Sequence, residues 1–211
     1  MKKIILLCLG VFSMAASAQY DYKDSNMIGI TGGLNQMTMM TDGFEAKGGT
    51  GWNAGLSVRG NFFNNWDIVY AMQFSEYNFS VATTNTIGIP DDTDYTMSGG
   101  QVTLQFSYKI VPRHFSVEIG PAFHFQGELA YDRDKKGNLI AGTPLTVEQL
   151  RDISKFNFSP VVGLTAGFLK FRVNVSYQYG MLNTFERVNK SHGSHITGHP
   201  GVLNGNIVLY L

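Results

Sequence analysis

Cysteine is all but missing: of 211 residues only Cys8 carries a thiol, and it lies in the N-terminal leader described below. Residues 19–211 therefore hold no disulfide and no thiol chemistry. No later stretch approaches the roughly 20 uninterrupted apolar residues of a transmembrane helix, so no helical anchor is expected. Charge is scarce as well. Asp, Glu, Lys and Arg make up 15% of the chain, against roughly 25% in ordinary soluble domains. The 16 basic residues are matched by 16 acidic ones, which removes the electrostatic footprint of a nucleic-acid binder. In place of charge there are aromatics, 13% of the chain, and 24 glycines.

The leader comes first. Lys2 and Lys3 precede an apolar run over 4–12, and Ala16, Ser17 and Ala18 precede Gln19. A charged end, a short apolar centre and an A-x-A site read as a secretory signal peptide over 1–18. Without Lys2 and Lys3 the balance is 14 basic to 16 acidic residues, a net charge of −2. Residues 19–211 are the length of one domain.

Most of that domain alternates with a period of two, the signature of strands. In 156–168 the even positions are apolar or proline, and in 171–181 the odd positions take over. The parity flips across Leu169 and Lys170, as a tight antiparallel hairpin needs if both apolar rows are to share a face. The same pattern predicts strands near 27–35, 51–62, 66–81, 101–110, 115–126 and 202–211, eight in all. In the third, the apolar row passes from Trp66, Ile68, Tyr70, Met72 and Phe74 to Tyr77, Phe79 and Val81, which predicts a β-bulge near Ser75 and Glu76. Connections after the second, fourth and sixth strands are tight. Those after the first, third, fifth and seventh run from about a dozen residues to nearly thirty, so all the long loops fall at one end.

A soluble barrel or sandwich would also alternate, but its polar face would be filled with Lys and Glu. Here that face is Gly, Ser, Thr, Asn and Gln, and the apolar face is bulky. Large residues outward to lipid and small polar ones inward predict an all-β fold, an eight-stranded antiparallel up-and-down transmembrane β-barrel of the bacterial outer membrane. Trp52, Trp66, Tyr77, Tyr108, Phe115 and Tyr179 are the expected interfacial aromatics. A secreted soluble β-barrel binder is the alternative fold reading. The chain resembles the PorT-like family of small outer-membrane barrels in its leader, its Gly-rich first strand, V-E-I-G-P at 117–121, Y-Q-Y-G-M-L-N at 177–183 and a strand at the C-terminus. It departs from barrels that end in an aromatic residue, closing instead on Tyr210 and Leu211. The resemblance implies location and shape; the family shares no single activity.

Five charges fall on inward rows near the short turns: Arg59, Asp67, Lys109, Glu118 and Arg172. In a barrel whose interior barely accommodates side chains, Glu118 is expected to pair with one or more of Arg59, Lys109 and Arg172 and close the lumen. His192, His195 and His199 in the last long loop are candidate metal ligands, although no carboxylate or thiol lies nearby. His192 and Ser194 also resemble the H-x-S of barrel lipid A deacylases, in which a histidine base activates a serine; here Asn204 and Asn206 stand where that likeness would need an acid. Asp91, Asp92 and Asp94 form an acidic run. D-R-D-K-K-G at 132–137 reads as a hairpin tip rather than a calcium loop, because Lys136 takes a ligand position. Thr143 and Pro144 open a predicted short helix through Asp152. The expectation is a monomer without catalysis or cofactor, bathed in outer-membrane lipid, whose long loops offer a surface to a protein or glycan partner, with no nucleic acid.

Overall fold

The computed structural model describes residues 26–211, and the leader expected over 1–18 lies outside them. The alternating stretches form β1 (Met27–Asp42), β2 (Ala46–Phe63), β3 (Trp66–Thr84), β4 (Pro90–Val111), β5 (Phe115–Gln126), the two-residue β6 (Ala130–Tyr131) and β7 (Leu139–Ile140), then β8 (Phe156–Gly167), β9 (Phe171–Tyr179) and β10 (Thr197–Tyr210). The eight long strands pair antiparallel with their neighbours, and β10 returns to β1 with Tyr210 opposite Gly29. That last pairing closes a ring, which leaves no open sheet edge around the wall. β6 and β7 merely extend β4 and β3 at one rim. No helix among the described residues is long and apolar enough to cross a membrane.

Three tight turns, at 64–65, 112–114 and 168–170, share one end. Asn64 and Arg113 take positive φ there, a conformation asparagine tolerates better than most residues. At the opposite end two of the four expected long loops are strand instead. Only 43–45 separates β1 from β2, and only 85–89 separates β3 from β4, while 127–155 and 180–196 remain long. Residues such as Thr38, Asp92 and Asp94 look like loop in a sequence, yet they are on the outward rows of strands that continue past the wall.

β3 shows why. Its odd residues face inward along the whole strand, from Asp67 through Ser75 and Tyr77 to Val81 and Thr83, and its register with β4 is unbroken from Trp66 to Thr84. The bulge expected near Ser75 and Glu76 is therefore absent from β3. What changes there is chemistry, not parity. Below Ser75 the outward row is Trp66, Ile68, Tyr70, Met72 and Phe74 and the inward row is Asp67, Val69, Ala71 and Gln73; above it the outward row is Glu76, Asn78 and Ser80, and the inward row is Tyr77, Phe79 and Val81. β4 inverts at the same height, from inward Tyr95 and Met97 to inward Gln101, Thr103, Gln105, Ser107 and Lys109. A bulge does occur nearby, on β2: Gly48 faces Phe79 and Trp52 faces Glu76, so β2 carries one extra residue. A Cβ on Gly51 would lie 1.9 Å from the Glu76 carbonyl oxygen, so the strands meet there only because that position is glycine. Tyr77, expected among the interfacial aromatics, is buried instead, because it sits on the inward row above the inversion.

Candidate functional site

Near the tight turns, charged side chains gather inside the barrel. Arg59 on β2, Asp67 on β3, Lys109 on β4, Glu118 on β5 and Arg172 on β9 all point inward and are 2–5% exposed. The Arg59 guanidinium donates to the Glu118 carboxylate, to Asp67 at 3.2 Å and to the Ser107 hydroxyl at 2.8 Å. Lys109 Nζ lies 3.0 Å from the other Asp67 oxygen. Glu118 also accepts from Ser107 at 3.2 Å and from Asn174 Nδ2 at 3.0 Å. Both of its oxygens are thus engaged, as a carboxylate held away from water requires. Glu118 meets Arg59 directly; Lys109 is joined through Asp67, and among the described residues no carboxylate stands within ion-pair reach of Arg172. Ser107 and Asn174 are members that the charges alone could not reveal. Their signal is the inward register they share with Lys109 and Arg172, two positions away along each strand.

Above this layer the lumen is lined by amides and hydroxyls around a cavity of about 50 Å³. Gln73 donates to Asn53 at 3.1 Å, and the Tyr77 hydroxyl donates to Gln101 at 2.8 Å. Higher still, the interior becomes apolar. Met37, Met39, Phe79, Val81, Tyr95 and Met97 from the strands pack with residues of 127–155 and 180–196, Leu145, Val147, Leu150, Phe185 and Val188 among them. Phe79 stacks on Tyr95 at 5.4 Å, Phe185 meets Phe44 edge-on at 5.5 Å, and the Tyr95 hydroxyl donates to the Val147 carbonyl at 3.1 Å. The two loops are also tied to each other and to the wall, Ser154 N donating to Thr184 O and Thr184 N to Gly198 O, both at 2.8 Å. A second, dry core therefore fills the mouth of the barrel.

The histidine-rich stretch has no comparable organisation. Helix α1 (Glu186–His192) ends at Gly193, whose φ of 64° suits glycine, and its N–H donates to Asn189 O. His192 and His195 are exposed, whereas His199 stacks on Tyr179 at 5.9 Å with Nδ1 3.0 Å from Gly180 O. Among the described residues no group of three or more His, Cys, Asp or Glu is arranged to hold a metal. Ser194 donates to Asn189 Oδ1 at 2.9 Å, and no hydrogen bond joins it to His192; Asn204 and Asn206 lie on the inward row of β10. The acidic run is engaged too: Asp92 pairs with Lys47, Asp91 with Lys135 at 2.7 Å, and Asp94 accepts from Ser80. The Lys135 hydrogen bond holds the Asp91 carboxyl below its ordinary value. Residues 133–135 form a single 3-10 turn, with Asp132 accepting from Asp134 N at 3.1 Å. The helix expected over 143–152 shrinks to a 3-10 turn at Gln149–Arg151. Its first half folds back instead: Ile140 N donates to Leu145 O at 2.9 Å across Gly142, which has φ of 85°.

A closed antiparallel ring of eight strands, apolar outside and polar within through its lower half, is the architecture of small outer-membrane β-barrels. Solved structures similar to it include Neisserial surface protein A, 8% identical, with 87% of this chain and 97% of that one covered at a TM-score of 0.52. The outer membrane protein OprG from Pseudomonas aeruginosa is 12% identical, with 89% and 96% covered at 0.50. Ail, the attachment invasion locus protein of Yersinia pestis, is 17% identical, with 89% and 99% covered at 0.50. At these identities the likeness is one of fold. No family model and no curated protein matches the chain.

Proposed function

We propose that this is a non-catalytic outer-membrane barrel, of the PorT-like kind, whose lumen is sealed at both ends and whose outer loops form a folded platform for a partner. The observation that carries the reading is the inversion along β3 and β4. A strand whose outward row is Ile68, Tyr70, Met72 and Phe74 and then, without changing face, Glu76, Asn78 and Ser80 passes from an apolar medium into water. From Trp66 to Phe74 the apolar row rises about 20 Å for a strand tilted roughly 40°, close to the roughly 25 Å apolar band of outer-membrane barrels. The tight turns then lie in the periplasm, and the dry core of 127–155 and 180–196 stands outside the cell. Two closures of opposite chemistry support a sealed lumen: ion pairs at the periplasmic end, and an apolar core at the external end where an unpaired charge would be costly.

Planar-bilayer recording tests the reading. Protein refolded in detergent, its insertion checked by heat-dependent migration on a gel, is expected to give no large, stable current. Steady channel openings from correctly inserted protein would contradict the sealed lumen, and recovery of the native protein in the soluble periplasmic fraction would contradict the membrane location.

A further inference from the structure

An open pocket of about 380 Å³ is lined by Glu128, Leu129, Ala130, Tyr131, Arg133 and Arg151, large enough for a sugar ring with a charged substituent. It sits where the chain leaves β5. Gly127 N still bonds Ser98 O at 3.1 Å, and Leu129 N bonds Arg151 O at 3.0 Å, so 127–131 continues beside β4 with Leu129 turned into the dry core and Glu128 and Ala130 turned out. Glu128 pairs with Arg151, and Asp132 is occupied in capping Asp134 N. Among the described residues no carboxylate stands within ion-pair reach of Arg133 or of the exposed Lys155. The pocket itself thus has two guanidinium groups against one carboxylate, with Tyr131 beside them.

What lies below the pocket identifies its occupant. Phe125 is outward and 56% exposed, Phe156 opposite it is 41% exposed, and with Phe123 and Phe158 they form a contact cluster with ring separations of 5.5–6.4 Å. Lys155 is the residue immediately before Phe156. Glu128 is three residues beyond Phe125, about 10 Å along an extended chain. On β3 and β4, above Phe74, the outward residues are Glu76, Asp92 and Asp94, and Lys47 is already paired with Asp92. Arg133 and Lys155, with no carboxylate in ion-pair reach among the described residues, thus lie on the stretches that continue upward from the aromatic Phe125 and Phe156 patch.

We propose that this pocket binds the phosphate-bearing sugar headgroup of an outer-leaflet glycolipid, whose acyl chains lie on Phe125 and Phe156 while Arg133 and Arg151 hold the phosphate. The inference rests on the outer-membrane reading above. Guanidinium is suited to this task because it is always charged and presents a planar fork of donors to phosphate oxygens, and Glu128 is placed to accept from sugar hydroxyls.

Native mass spectrometry of the refolded protein in neutral detergent, titrated with lipid A, tests it. The wild type is expected to retain lipid A, and R133A/R151A to lose retention on the order of tenfold. R133K/R151K should fall between the two, and Lys47→Ala should match the wild type. Lipid A stripped of its phosphates should bind as poorly to the wild type as intact lipid A binds to the double alanine variant. Equal retention by wild type and R133A/R151A would overturn the proposal, and so would retention of glucose 1-phosphate as tight as that of lipid A, since the acyl chains would then contribute nothing. Heat-dependent gel migration of every variant keeps the two readings apart: a variant that migrates as a folded barrel reports on the pocket, and a wild type that never does so contradicts the barrel itself.

Discussion

Replacing Glu118 with alanine is expected to lower the unfolding free energy of the inserted barrel by about 3–5 kcal/mol, the usual loss when one partner of a buried ion pair is removed. The cause is the charge left behind more than the bond lost. Arg59, Lys109 and Arg172 face Asp67 and Glu118 in one layer; without Glu118, Asp67 is the carboxylate left in that layer among the described residues. Arg59 loses one of its two carboxylate partners, and Ser107 and Asn174 lose an acceptor. Arg172→Met should behave in the opposite way, changing stability by less than about 1 kcal/mol or raising it, because Arg172 has no ion-pair partner among the described residues and a well-packed apolar side chain is not penalised for desolvation. Urea titration in lipid vesicles, followed by tryptophan fluorescence, compares the two. If Glu118→Ala and Arg172→Met cost the same, the layer is a set of independent charges and not a network centred on Arg59 and Glu118.

Phe79→Ala is the second large effect, and its reach should differ. Phe79 is 1% exposed, stacked on Tyr95, in a core that holds 127–155 and 180–196 onto the rim. Truncating a buried phenylalanine costs about 3–5 kcal/mol. Here the loss should fall on the external core, because the lower wall keeps its lipid-facing row and its ladder hydrogen bonds. Local opening is governed by local contacts, so limited proteolysis within 127–155 should accelerate by about a hundredfold or more, while the heat-dependent gel shift persists. Unchanged proteolysis would show that Phe79 does not hold the loops, and loss of the gel shift would show that core and wall unfold together.

The lower barrel was legible because one medium surrounds it. Between Phe115 and Gln126, alternation and two clear boundaries mark β5 from end to end, and the hairpin of β8 and β9 shows itself by its parity flip at Leu169 and Lys170. The upper barrel was harder to see because a period of two reports which face a residue occupies, not what lies outside that face. Tyr77, Phe79 and Val81 looked like a lipid-facing row shifted by one, and hence like a bulge, when they are the same inward row beside an outward row that has turned polar. The β1–β2 and β3–β4 connections looked like loops for the same reason. The inward position of Arg59, Asp67, Lys109, Glu118 and Arg172 follows from alternation, but which of them touch depends on the stagger of strands around the ring, and no single strand's sequence carries that. His192, Ser194 and His195 show the converse. Neighbours in sequence, they straddle the end of α1, where Asn189 accepts from the Ser194 hydroxyl.

The inversion on β3 is the central claim, and a cysteine scan tests it most directly, because the only native cysteine is Cys8, within the expected leader. Single replacements at Tyr70, Met72, Phe74, Asn78, Ser80 and Ala82, all on the outward row, would be exposed to a membrane-impermeant maleimide in lipid vesicles. Replacements at Tyr77, Phe79 and Val81 provide the inward row. The expected result is rapid labelling at 78, 80 and 82 with protection at 70, 72 and 74 and at all three inward positions. Labelling at 77, 79 and 81 with protection at 78 and 80 would contradict it, since the strand would then change face at Ser75 and the outer medium would not.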